Sequence, residues 1–197
     1  MTFYNNKGST PNNMKTDLKS VETHTQQWLE EVVIGLNLCP FAHKPNKKKQ
    51  IKIAVSDANS EEALLEFILL ELKQLDSHTA EELETTLVVA SHLLADFMDY
   101  NFFLDWVDAL LKQQDYEGIY QIASFHPDYC FGGTEPEDAE NLTNRSPYPT
   151  IHLIREASME KELKHYPNPE AIPDNNIERV ESLTQQQKNT LFPYLFT

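Results

Sequence analysis

Glycine, arginine and cysteine are scarce in this chain, and each scarcity excludes something. The 197 residues hold five glycines and no G-x-G-x-x-G or G-x-x-x-x-G-K string. A nucleotide held on a glycine-rich phosphate loop is therefore not expected. Two cysteines, Cys39 and Cys130, are too few for a disulfide scaffold, and reduced thiols are the default. Basic residues are outnumbered 16 to 31, for a net charge of −15. Nucleic-acid binding needs a concentrated basic surface, so that partner is not expected. The one basic run, Lys47-Lys48-Lys49, reads as a solvated loop. No stretch approaches the ~20 apolar residues of a spanning helix, and Met1–Ser20 has no apolar signal core. A cytoplasmic protein without a membrane partner is the expectation.

What is present looks globular. Hydrophobic residues make up 40% and charged residues 24%, ordinary proportions for one domain with a full core. Residues 1–20 are polar and without periodicity, and read as a mobile tail ahead of a domain over 21–197. Trp28, Val32, Leu36 and Cys39 step at helical spacing, which predicts a helix over Thr23–Leu38, capped by Thr23 or Thr25 and stopped by Pro40. Ile51–Val55 alternates as a strand does. Ser60 followed by Glu61-Glu62 opens a helix, Thr85–Ala90 is a continuous β-prone run, and Asp96 opens a third helix carrying Phe103, Trp106 and Val107. Strands over Ile119–Phe125 and Tyr148–Ile154 follow, then a short helix over Ala157–Lys164 and a polar one from Pro173 to Lys188. The pattern predicts an α/β fold: a mixed, mostly parallel sheet of about four strands with helices packed on it. A ferredoxin-like α+β arrangement is the alternative. In the first case Val55, Ala90 and Phe125 end at one edge of the sheet, where ligands of such sheets gather.

The stretch from Ser124 to Pro149 stands out. Its connection of roughly twenty residues exceeds the usual loop of about 4–6. Phe125, Tyr129, Phe131, Leu142 and Tyr148 make it too aromatic and apolar for a disordered segment. Thr134-Glu135-Pro136-Glu137 carries a capping signal for a short helix. Three strings, Asn37-Leu38-Cys39-Pro40-Phe41-Ala42, Ser124-Phe125-His126-Pro127-Asp128-Tyr129 and Thr143-Asn144-Arg145-Ser146-Pro147-Tyr148-Pro149, resemble those of the bacterial family known as domain of unknown function 1415. The likeness runs from about Trp28 to about Ile177. It implies a soluble domain of this size and brings no activity or cofactor. Cys39, His126, Asp128, Asn144 and Arg145 fit the family pattern, whereas His43 and Cys130 depart from it.

The candidate chemistry gathers on those strings. His126 follows a strand and lies two positions from Asp128, whose carboxylate would orient a general acid or base. The bland reading is a histidine that ties the loop down. Arg145 is one of only three arginines against thirteen lysines. Its planar fork suits a substrate carboxylate or phosphate, or else Asp128 or Glu135 within the loop. Asn144 and Tyr148 would add polar contacts. Cys39 is a candidate nucleophile with His126 as base, although a helix C-terminus raises a thiol pKa. Two metal sets are conceivable: Cys39, His43, His126 and Cys130 as a zinc site, and His126, Asp128 and His152 as an open iron site. The leading expectation is a small-molecule enzyme, by hydrolysis or group transfer, on an anionic substrate at the 124–149 loop. A non-catalytic ligand- or protein-binding module is the alternative, and a bound metal is a third.

Overall fold

Four strands form one mixed sheet in the computed structural model, which describes residues 11–196. The first helix, α1 (Pro11–Trp28), continues into a π-helical turn over Leu29–Ile34. Of the tail expected over 1–20, residues 1–10 lie outside the described residues and 11–20 open α1. Thr23 and Thr25 do not cap. Each hydroxyl donates to the carbonyl four residues back, Lys19 and Val21, as threonine does inside a helix. The turn ends at Asn37, whose φ of +58° places it in the left-handed region that asparagine tolerates. A short helix, α2 (His43–Lys47), leads to β1 (Ile51–Ser56).

The middle of the chain follows its local chemistry closely. Ser60 accepts the Ala63 N–H and starts α3 (Glu61–Ser77), and Asp96 accepts the N–H groups of Met98 and Asp99 and starts α4 (Phe97–Gln113). Between them lies β2 (Thr85–Ala90), buried at all six positions. After β3 (Tyr120–Phe125) and the long loop comes β4 (Thr150–Arg155), followed by α5 (Glu156–His165), α6 (Ile172–Glu181) and α7 (Gln185–Leu191). The last predicted helix is thus two, separated at Ser182–Thr184, where Thr184 and Gln187 form a reciprocal cap.

The strand order is β1-β2-β4-β3. β1 and β2 pair in parallel, and β4 pairs antiparallel with both β2 and β3. The expected mostly parallel sheet is therefore corrected: one of the three pairings is parallel, because β4 enters between β2 and β3. The parallel β1–β2 pair in turn excludes the antiparallel ferredoxin-like sheet. β1, β2 and β3 still run the same way, so Val55, Ala90 and Phe125 do lie toward one end of the sheet.

Both faces of the sheet are covered, and strand periodicity sorts the residues between them. Val88, Ala90, Ile151 and Leu153 face a core filled by Leu64, Ile68 and Leu72 of α3 and Tyr100, Phe103 and Val107 of α4. Leu87, Ile51, Ile53 and Phe125 face a second core made with Trp28, Leu29, Val32, Val180 and Phe192. That second face is incompletely filled.

Candidate functional site

The 124–149 loop is ordered by its own polar groups. His126 is fully buried. Its Nδ1 accepts the Asp128 backbone N–H at 3.0 Å and its Nε2 faces the Leu94 carbonyl at 2.9 Å. The proton therefore sits on Nε2 and both ring nitrogens are engaged. Phe97 and Tyr100 pack against the ring at 5.3 and 5.1 Å. Burial pulls its pKa below the usual histidine value. The orienting group is thus the backbone of Asp128 and not its carboxylate, which is exposed.

Arg145 meets neither Asp128 nor Glu135. Its Nε donates to the Tyr129 carbonyl at 3.2 Å and its Nη2 to the Pro136 carbonyl at 2.6 Å. Its own carbonyl accepts from Trp28 Nε1 and the Tyr194 hydroxyl. Asn144 donates to the Ser124 carbonyl, and its carbonyl accepts the His126 N–H. The helix expected from Thr134 does not form, because the Thr134 hydroxyl lies 2.9 Å from Asn141 Oδ1. A single 3-10 turn forms instead over Ala139–Thr143. Asn141 is fully buried, accepts the Phe131 N–H and donates to the Glu135 carbonyl. The sequence reading passed over it, although an asparagine inside a turn-rich segment is the usual donor-acceptor hub.

The proposed partners of His126 are elsewhere. Cys39 packs with the second core, while the His126 ring lies among residues of the first, so the sheet separates them. Burial raises the Cys39 pKa. His152 alternates with Ile151 and Leu153, which face the first core, and so also lies across the sheet from His126. Neither metal set is assembled, and among the described residues no three His, Cys, Asp or Glu side chains converge on one point. Tyr148 stacks on His24, shares a 2.9 Å hydrogen bond with it, and lines an open cavity of about 320 Å³ beside Trp28 and Tyr194.

A different cavity, of about 300 Å³, occupies the incompletely filled face of the sheet. Leu87, Ala123, Phe125, His152 and Ile154 line it from the strands, Trp28, Leu29 and Val33 from the first helix and its π-helical turn, and Ser158 and Met159 from α5. Cys39, Phe41, Ala42 and Pro45 line it from the segment around α2. Lys44 and Glu162 approach to 3.5 Å, joining α2 to α5, and the Phe41 and Tyr166 rings meet edge-on at 5.3 Å.

Three short strings have so far carried the family likeness, and the comparison over the whole chain decides it. The profile described as protein of unknown function, DUF1415, matches residues 20–190. The chain belongs to this family. No curated protein and no solved structure matches it. In this DUF1415 chain the matched span takes in the loop, all four strands and every residue lining the cavity between the sheet and α5. Among the described residues no helix is long and apolar enough to cross a membrane.

His152 is the unusual group in the cavity. The Thr85 hydroxyl donates to the Leu153 carbonyl and so accepts from His152 Nε2, at 2.6 Å. That places the proton on Nε2 and the lone pair on Nδ1. Among the described residues Nδ1 has no hydrogen-bond partner. Desolvation holds the ring neutral, with its pKa lowered to about 4. A neutral imidazole is thus held in one tautomer at the floor of an apolar cavity.

Proposed function

We propose that the protein binds a compact, largely apolar small molecule in the cavity between the sheet, the first helix and α5. The observation that carries this reading is His152, a polar side chain with an open acceptor nitrogen among apolar walls. Ligand sites are typically apolar clefts of ~300–1,000 Å³ with a few placed polar groups, and this cavity fits that description at its lower end.

Between the two classes weighed on the sequence, the geometry supports binding over catalysis. An enzyme acting on an anionic substrate at the 124–149 loop would need His126 released from Leu94 and Asp128, and Arg145 released from two carbonyls. A base whose pKa is lowered to about 4 is also a weak one, so His152 is better suited to hold a ligand than to deprotonate it. The loop then serves as scaffold: it fixes Trp28 through the Arg145 carbonyl, and Trp28 is a wall of the cavity.

A thermal-shift screen of small aromatic and aliphatic compounds tests this. Compounds that stabilise the wild type should lose their effect in Ala123→Leu, whose larger side chain fills cavity space. Hits that stabilise both proteins equally would place the ligand elsewhere and overturn the assignment.

A further inference from the structure

We infer that the buried end of the ligand is a neutral hydrogen-bond donor, a hydroxyl or N–H on an apolar body, and not a carboxylate or phosphate. The inference rests on the cavity reading above and specifies its chemistry.

Three observations carry it. First, His152 offers only an acceptor. Thr85 holds the Nε2 proton, and with its own proton on the Leu153 carbonyl it has none left for a ligand. An anion brought to Nδ1 would set lone pair against lone pair, whereas a hydroxyl or N–H would complete the pair. Second, His152 is flanked across the sheet by Leu87 on β2 and Ala123 on β3, both in the cavity lining. Among the described residues no charged group acts on the His152 ring, which feels desolvation alone, and an unpaired charge in apolar surroundings is strongly disfavoured. Third, the charged side chains along the cavity balance: Lys44, Lys48 and Lys161 against Glu81, Glu84 and Glu162. The site has no excess positive charge to draw in an anion, and the chain as a whole carries −15.

The lock on the tautomer is what makes this selective. A free histidine can turn either nitrogen into donor or acceptor to suit its guest. Here the Thr85 hydroxyl removes that choice. The cavity should then discriminate between molecules of equal shape by one hydrogen.

The chain supplies its own reporter. Trp28 lines the cavity, and the second tryptophan, Trp106, is 44% exposed on α4, across the sheet. In a Trp106→Phe protein the emission of Trp28 is followed on titration with para-propylphenol, propylbenzene and para-propylbenzoate. The phenol should bind roughly three- to ten-fold tighter than propylbenzene, the share of one neutral hydrogen bond, and the benzoate weakest. In His152→Leu the phenol and the hydrocarbon should become equal. If none of the three gives a saturable change, both the cavity reading and this inference fail. Trp28 also borders the cavity beside Tyr148, so the titrations are repeated in Ala123→Leu, since Ala123 lines only the first of the two. If propylbenzene and the phenol bind equally to the wild type, or the benzoate binds tightest, and Ala123→Leu weakens that binding, the cavity stands and the inference falls. Binding unchanged in Ala123→Leu overturns both. A preference that persists in His152→Leu overturns it as well. Nitrogen-15 spectra of the wild type need no variant: the unprotonated nitrogen of His152 should shift with the phenol and stay still with propylbenzene, and a nitrogen unmoved by bound phenol refutes the assignment.

Discussion

Acid should destabilise this protein through one residue, and the size of the effect follows from the structure. His152 has an unfolded value of 6.5 and is lowered to about 4 in the fold by burial. The folded state therefore binds fewer protons than the unfolded chain in that interval, and stability falls as pH falls from 6.5 to 4. Below 4 both states are protonated and the loss levels off. Between pH 7 and 4.5 the linkage relation gives a loss of roughly 2.5 kcal/mol, and water entering the cavity trims this to about 2 kcal/mol. The comparison is His152→Gln, which keeps an N–H for Thr85 and does not titrate. Urea unfolding at the two pH values gives four midpoints. With a slope of roughly 2–3 kcal/mol per molar for a chain of this size, the wild-type midpoint should drop by ~1 M more than that of the variant. Carboxylates titrate alike in both proteins, and His126, whose pKa is also lowered by burial, is unchanged. Both cancel in the difference. Parallel pH profiles would mean that the ring is solvated and free, and would remove the physical basis for a neutral floor in the cavity.

Two further outcomes follow from the loop and the π-helical turn. Arg145→Ala removes the bonds to the Tyr129 and Pro136 carbonyls and should cost about 2 kcal/mol by thermal or urea unfolding, while cavity binding measured by Trp28 emission persists. A stable variant that has lost ligand binding would return Arg145 to the role of an anion clamp. Gly35→Ala should lose roughly 2 kcal/mol, since an added Cβ runs into the Glu31 carbonyl; because Leu29 and Val33 of the same turn wall the cavity, weaker probe binding should accompany the lower melting temperature.

The strands and the caps of α3 and α4 were legible because their signals are local, whereas Thr23, Thr25 and Thr134 carry cap chemistry without capping. Ser60 and Asp96 cap as side-chain chemistry dictates, and the unbroken Thr85–Ala90 run correctly marks a strand covered on both faces. The order of pairing was not legible. Nothing within Thr150–Arg155 says that it will enter between β2 and β3, since an antiparallel strand buried on both sides shows the same apolar run as a parallel one. The loop was rightly read as structured, yet its chemistry pointed inward. Arginine is rare here and suggested an anion, but Arg145 and Arg155 both bond backbone carbonyls that their own turns leave open. His152 was noticed only as a metal candidate. What gives it interest is Thr85, 67 residues away in the chain and joined to it only by the sheet.

The position of β4 has a consequence for how the chain becomes a protein. During synthesis the β1–α3–β2 unit can form early, but β2 and β3 cannot join, because the strand that lies between them emerges only after the 124–149 loop. Until residue 155 is available, β2 and β3 each offer an unpaired backbone edge, the kind of surface that recruits other chains. Closing a connection of this length costs more entropy than a tight hairpin. The internal bonding of the loop, with Asn144 on the Ser124 carbonyl and Thr134 on Asn141, ties the end of β3 to the start of β4, the strand that must come last for the sheet to close.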